Sequence, residues 1–303
     1  MILLDIFHKI ITREWVLGIC DFKDFSLNGD SWQKKITWIK PSAESWYADP
    51  FILSSEGREL QVLVEEFPYV THKGQISILR IDMEEKKIVE STPLLVLETH
   101  LSFPYWFNSG SKIFVIPENS ASGGSYIYEL DEKKQELTKK RLFAEAPLTD
   151  ATIFRIGEKQ YLISTECPNE NSSVLNLYPI VDGVPQVAHK KEIKFEDNTA
   201  RNAGRVFGYK GKYYRPAQIS NSGYGEGICI QEVKSKNNNV SFKEVQRFYS
   251  PIRSHNLAFH TFNVFNDDLI IVDAQGYKYG FIGRAIDSIA LYFRLWKKRR
   301  KFL

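Results

Sequence analysis

From Asp49 onward the chain alternates short apolar runs with tight polar breaks, and the same motif returns five times. Asp49-Pro50-Phe51-Ile52-Leu53 is followed by Gly57 and then Leu60-Gln61-Val62-Leu63-Val64-Glu65-Glu66. Tyr105-Trp106-Phe107 leads through Gly110 to Lys112-Ile113-Phe114-Val115-Ile116-Pro117-Glu118, and Asp150-Ala151-Thr152-Ile153-Phe154 through Gly157 to Gln160-Tyr161-Leu162-Ile163-Ser164. Arg205-Val206-Phe207 leads through Gly211 to Lys212-Tyr213-Tyr214-Arg215-Pro216, and His260-Thr261-Phe262-Asn263-Val264-Phe265 through Asp267-Asp268 to Leu269-Ile270-Ile271-Val272-Asp273. Each unit predicts a strand ending in Phe, a tight turn and a second apolar strand.

Phe51, Phe107, Phe154, Phe207 and Phe265 recur roughly every 50 residues, a spacing typical of propeller blades. Outer strands are expected over 75–81, 125–130, 174–180 and 227–233. The pattern predicts an all-β, five-bladed propeller over residues 1–280. The fifth unit has no outer strand of its own, so the apolar stretch Trp15-Val16-Leu17-Gly18-Ile19-Cys20 is expected to complete it and close the ring. A β-sandwich of similar strand count is the alternative, and a repeat this regular speaks against it.

Past residue 280 the period changes. Phe281, Ala285, Ile289, Tyr292, Phe293 and Trp296 recur at helical spacing, followed by Lys297-Lys298-Arg299-Arg300-Lys301. Residues 281–303 therefore predict a short amphipathic helix with a basic end, suited to an anionic membrane surface or to packing on the propeller rim.

Composition narrows the class. Of 303 residues, 43% are hydrophobic and 25% charged, the balance of a soluble globular protein. Aromatics at 14% suit strands and sugar-binding surfaces alike. A net charge of +3 is too small to make nucleic acid the expected partner. Cys20, Cys167 and Cys229 have no metal-ligand spacing. No secretory signal and no run long enough to span a bilayer is evident, so a cytoplasmic location, peripheral at the inner face of the membrane, is expected.

Polar residues near the first strand of each unit should converge where a propeller's inner strands open into a funnel. Those candidates are Asp49, Glu65 and Glu66, then His100 and Glu118, then Asp150, then Arg201, Arg205, Arg215 and Gln218, and finally His260 and Asp273. Glycosidic chemistry needs carboxylates on opposite sides of a sugar ring, one giving a proton and one attacking or activating an acceptor. Asp49, Asp150 and one of Glu65, Glu66 or Glu118 could supply that set. The three arginines fall within fifteen residues among Gly, Ala, Val, Phe and Tyr, and guanidinium forks suit phosphate or carboxylate. They are expected either to pair with acids of neighbouring strands or to hold an anionic sugar derivative. The loop Gly223-Tyr224-Gly225-Glu226-Gly227 lacks a following helix and is no phosphate loop. The histidines lack zinc spacing, and neither metal nor cofactor is expected.

At these residues the chain resembles the five-bladed propeller domain at the N-terminus of plant glucosamine inositolphosphorylceramide transferases. The matching stretches are Ala48-Asp49-Pro50-Phe51, Val64-Glu65-Glu66, His100-Leu101-Ser102-Phe103-Pro104-Tyr105, Ile116-Pro117-Glu118 and Thr149-Asp150-Ala151. They continue with Ala200-Arg201-Asn202-Ala203-Gly204, Tyr214-Arg215-Pro216-Ala217-Gln218, Tyr224-Gly225 and His260-Thr261-Phe262-Asn263, spanning about residues 13 to 280. The domain is similar in architecture to furanosidase and invertase-like propellers. That resemblance implies Asp49 as nucleophile or base, Asp150 as a transition-state-stabilising acid, and Glu66 or Glu118 as proton donor. It brings Tyr224 into the substrate-binding set. In the plant enzymes a separate transferase domain accompanies the propeller.

The expected function is a glycosyltransferase-type enzyme of surface polysaccharide or glycolipid biosynthesis. It would use a sugar-phosphate or nucleotide-sugar donor and a glycan or lipid-linked acceptor. The alternatives are a furanosidase-like glycoside hydrolase and a non-catalytic carbohydrate-binding module.

Overall fold

A computed structural model describes residues 12–236, 239–280 and 282–289. Among these, the strands form five antiparallel sheets, and the first strand of each unit is the innermost. Blade 1 is β3 (Ser45–Glu56), β4 (Glu59–Pro68), β5 (Gln75–Asp82) and β6 (Lys87–Leu95). Blade 2 is β7 (Ser102–Ser109), β8 (Lys112–Glu118), β9 (Ser125–Asp131) and β10 (Glu136–Ala144). Blade 3 is β11 (Leu148–Ile156), β12 (Lys159–Glu166) and β13 (Val174–Val181), whose outer edge pairs with both β14 (Val184–Pro185) and β15 (Lys191–Lys194). Blade 4 is β16 (Phe207–Tyr209), β17 (Lys212–Ile219), β18 (Gly227–Lys236) and β19 (Asn239–Phe248).

Blade 5 joins the two ends of the chain. Its inner strands are β20 (Phe262–Phe265) and β21 (Leu269–Tyr277), and its outer strands are β1 (Arg13–Asp21) and β2 (Thr37–Ile39). β1 pairs with β21 along its whole length, from Arg13 opposite Tyr277 to Asp21 opposite Leu269. The clasp expected over Trp15–Cys20 is therefore real, and β2 adds a strand that the pattern did not reveal.

The apolar runs reflect blades packed on both faces, where successive side chains serve different neighbours. In β4, Leu60, Val62 and Val64 pack with Leu17, Ile19 and Ile271 of blade 5. The intervening Leu63 packs with Phe103, Tyr105 and Val115 of blade 2. Inner hairpins turn on left-handed residues: Gly57, Gly110, Gly157 and Gly211, with Asn266 and Asp267 taking that part in blade 5.

Residues 282–289 are helical. Asp287 accepts from Tyr277 Oη at 2.5 Å and lies 3.4 Å from Arg13, fixing this helix beside the ends of β21 and β1. Phe281, Tyr292, Phe293, Trp296 and the basic run Lys297–Lys301, on which the amphipathic expectation rests, lie outside the described residues.

Candidate active site

One local feature, used three times, builds the site. In blades 1, 2 and 3 the inner strand slips register against its neighbour, between Ala48 and Phe51, between Ser102 and Tyr105, and between Thr149 and Thr152. The first residue inside each bulge has positive φ: Asp49 at 50°, Phe103 at 44° and Asp150 at 48°. Asp tolerates this conformation, whereas Phe does so at a cost, and bulges re-aim side chains near functional sites. Blades 1 and 3 thus present a carboxylate. Blade 2 presents a backbone N–H instead, since Phe103 N donates to Asp49 Oδ2 at 3.1 Å while its ring packs edge-on to Phe51.

Asp273, on β21, ties blade 5 to blade 1. Its Oδ2 accepts from Asp49 N at 3.0 Å, and its Oδ1 accepts from Thr261 N at 2.9 Å and from the backbone N of His260 at 3.3 Å. His260 Nδ1 lies 2.8 Å from the same Oδ1, and Nε2 lies 3.6 Å from Asp49 Oδ1. The His260 ring stacks on Trp15 at 4.0 Å and meets Tyr224 edge-on at 5.4 Å. Burial opposes its charge, but the carboxylates of Asp273 and Asp49 outweigh it and hold the imidazole up at about 9.

Asp49 is buried and receives Thr261 Oγ1 at 3.0 Å as well as the Phe103 amide. Burial pushes its pKa up to about 7, against the pull of His260, with Asp150, Glu65 and Asp273 adding to the rise. On the other side of the mouth, Asp150 Oδ2 accepts from Arg201 Nε at 2.6 Å and Gln218 Nε2 at 2.8 Å, and Oδ1 lies 3.4 Å from Arg201 Nη2. That same Nη2 is 3.4 Å from Glu118 Oε2, and Nη1 donates to Asn171 Oδ1 at 3.2 Å. Glu118 is held well above the usual carboxylate range by burial and then by Asp150, with Arg201 opposing. Tyr224 covers the Arg201 guanidinium at 5.1 Å.

Glu65 is buried beneath His100 at the rim, 3.2 Å from its Nε2, and Gly74 N donates to His100 Nδ1 at 3.0 Å. Asp49, Asp150, Glu118, Arg201, Gln218, Tyr224, His260 and Asp273 therefore meet in one cluster, with His100 reaching it through Glu65.

Three expected residues do not join it. Glu66 Oε2 accepts from Ser77 at 2.6 Å, Gln75 at 3.0 Å and Ser91 at 3.2 Å, all within the outer strands of blade 1. The three arginines do not line one anion pocket, because their stretch of chain turns sharply beside the axis. A Cβ on Gly204 would stand 2.2 Å from Phe262 O, so the backbones of blades 4 and 5 touch there. Arg201, before that approach, faces the acids. Arg205, after it, lines a cavity with Phe51, Ile52 and Trp106, further along the inner strands toward the opposite end of the channel. Arg215 is fully buried and binds Asn202 Oδ1 at 2.7 Å, Gln231 Oε1 at 2.6 Å and the carbonyls of Thr199 and Ala200, with no acid among its partners. Burial lowers its pKa to about 9.

Sequence reasoning did not single out Thr261, Asn171 or the Phe103 amide. Thr261 stood inside a matched stretch, and the S-F-P of 102–104 echoes the A-D-P of 48–50, whereas nothing marked Asn171. Asp49, His260 and Asp273 bring ligand-type atoms within 4.8 Å of one another, a spacing a cation could use. The four N–H groups already directed at Asp273 mean that a cation would have to displace the imidazole from it.

The fold and this cluster define a class: a five-bladed propeller with acids from several blades gathered at one mouth. The family model described as "Glucosamine inositolphosphorylceramide transferase 1, N-terminal" matches residues 38–265, and the chain belongs to that family. Glucosamine inositolphosphorylceramide transferase 1 of Arabidopsis thaliana is 26% identical over 201 residues, covering 63% of this chain and 26% of that protein. The rice protein of that name (Oryza sativa subsp. indica) is 24% identical over 209 residues, 66% of this chain and 28% of that one. The chain thus spans little more than a quarter of these relatives. Among solved structures, a GH43_1 enzyme from Xanthomonas citri has the same fold, with a TM-score of 0.53 at 11% identity over 78% of this chain and 89% of that one. CoXyl43, a GH43 beta-xylosidase/alpha-arabinofuranosidase, gives 0.51 at 11% identity over 77% and 86%.

Proposed function

We propose that this propeller is a carbohydrate-active domain that transfers a glycosyl group from a phosphate-activated donor, with Asp49, Glu118 and Asp150 as its reacting acids. The observation that carries this reading is the unequal environment of the three. Glu118 is buried and raised, so it keeps a proton to give to a leaving-group oxygen, while Asp150 is locked to Arg201 at 2.6 Å. Asp49, raised to about 7, is poised to lose its proton near neutrality and act as nucleophile or base. With Glu118 protonated, Asp150 alone balances Arg201, whose Nη edge is then the group to meet a departing phosphate. Gln218 Oε1 is buried beside Asp150 with no hydrogen-bond partner among the described residues, an unmet acceptor next to the acids. The acceptor we infer is a glycolipid, in line with the name of the plant relatives.

The test is transfer of radiolabelled glucosamine from a nucleotide-linked donor to inositolphosphorylceramide, with aryl furanosides assayed in parallel. Labelled lipid formed by the wild type and lost in Asp49→Asn and Glu118→Gln supports transfer. Sugar release from aryl furanosides alone favours hydrolysis. One observation favours that second reading: two acids already engage Arg201, and Arg205 and Arg215 lie elsewhere, which leaves less positive charge for a phosphate than the arginine count suggests.

We further propose that the protein is cytoplasmic and held at an anionic membrane surface through residues 281–303. Five consecutive basic residues at about 1 kcal/mol each support this at low salt. Deleting 281–303 should abolish co-sedimentation with phosphatidylserine vesicles, and unchanged sedimentation rules out the tail as anchor.

A further inference from the structure

Arg205 lies apart from the acids. Its guanidinium lies over the rings of Trp106 and Tyr105, at 4.8 and 5.1 Å from their centroids. Trp106 is itself fixed by donating Nε1 to Ile52 O at 3.1 Å. Of the five guanidinium N–H groups, the one engaged is on Nη2, which donates to Trp106 O at 2.7 Å. No acid among the described residues lies within ion-pair distance of it. Arg215 shows how this chain satisfies a guanidinium that has no acid: four protein oxygens surround it. Arg205 has one.

The remaining donors border a cavity of about 90 Å³ lined by Phe51, Ile52, Trp106, Arg205, Asn263 and Asn266. Asn263 is spent on the backbone, donating to Pro50 O at 2.9 Å and accepting from Arg205 N at 2.8 Å. Among the described residues, Arg205 is therefore the one charged group lining this cavity. Cation–π contact with the two rings and the bond to Trp106 O restrain its planar fork, and the rest of its edge is open to a two-pronged acceptor. The space has room for several waters or for one small oxyanion.

We propose that this end of the channel is a second binding site, taking a small oxyanion such as phosphate or a carboxylate on the free edge of Arg205. The site is separate from the acid cluster and does not depend on the chemistry proposed there.

Calorimetry with inorganic phosphate and, separately, with acetate would measure binding to the intact protein and say which oxyanion is preferred. A ligand at a hundred times its Kd should also raise Tm by roughly 3–5 °C. Arg205→Met should abolish both the heat and the Tm shift, and Arg205→Lys should weaken binding at least tenfold because a point charge cannot replace the fork. Asp49→Asn should bind the oxyanion like the wild type. Where Arg205→Met fails to fold, the Arg205 Nε–H resonance of wild-type protein should move on phosphate or acetate titration. No heat and no movement of that resonance with either anion, or a Tm shift that persists in Arg205→Met, overturns the proposal.

Discussion

Asp49 is held from the blades on both sides, by Thr261 Oγ1 of blade 5, by the Phe103 amide of blade 2 and, through its own N–H, by Asp273 of blade 5. A hydroxyl donating to a carboxylate stabilises the ionised form, so Thr261→Val should push the already raised Asp49 pKa higher. A charge-assisted bond of about 1.5–3 kcal/mol corresponds to a shift of about one to two pH units. The acid limb of kcat/KM should therefore move upward by that amount, and an unchanged limb contradicts the assignment of Asp49 as the titrating group. His260 makes a different prediction. It is raised from 6.5 to about 9, so it holds its proton more tightly folded than unfolded. Its stabilising contribution is complete below 6.5 and is lost as pH rises through about 9. Urea midpoints should fall between about pH 7 and about pH 10, and His260→Gln should flatten that slope while lowering stability near neutrality.

At the scale of the strand, the site depends on the close approach at Gly204 and the three bulges. Gly204→Ala sets a Cβ against the Phe262 carbonyl carbon and oxygen, both backbone atoms that cannot swing aside. We expect a loss of roughly 3 kcal/mol or more, read as a lower denaturation midpoint with unchanged m-value. A midpoint within error of wild type would mean that the contact between blades 4 and 5 is slack. The second strands of the blades were legible in the sequence because both faces are buried over much of their length, which makes Val62–Val64 and Leu269–Val272 continuous apolar runs. The outermost strands were not. β6 (Lys-Ile-Val-Glu-Ser-Thr-Pro-Leu-Leu) and β19 face solvent over much of their length, so no clean period marks them. The acids at the inner strands were legible for a related reason: Asp49 and Asp150 stand at matching places in the first strands of units 1 and 3. The dispersal of the arginines was hidden, since linear spacing carries no sign of a backbone turning between Arg201 and Arg205.

For the molecule as a whole, closure is the decisive event. Blade 5 takes β20 and β21 from one end of the chain and β1 and β2 from the other, so the ring is complete only when distant segments pair. A chain beginning after Asp21 leaves β21 with an unpaired edge and exposes Ile270 and Val272. We expect it to lose the cooperative unfolding transition and to aggregate, and a wild-type melt would show that blade 5 closes without its clasp. Closure also brings His260 and Asp273 against Asp49, so the clasp contributes to the site as well as to stability. The proposed chemistry turns on acids from separate blades acting together at that mouth. Its most direct test is the glycosyl-transfer rate of Asp49→Asn, Glu118→Gln and Glu66→Gln, each normalised to folded protein. Losses of about a hundredfold or more in the first two, with the third near wild type, are predicted. Equal rates in all three would contradict it.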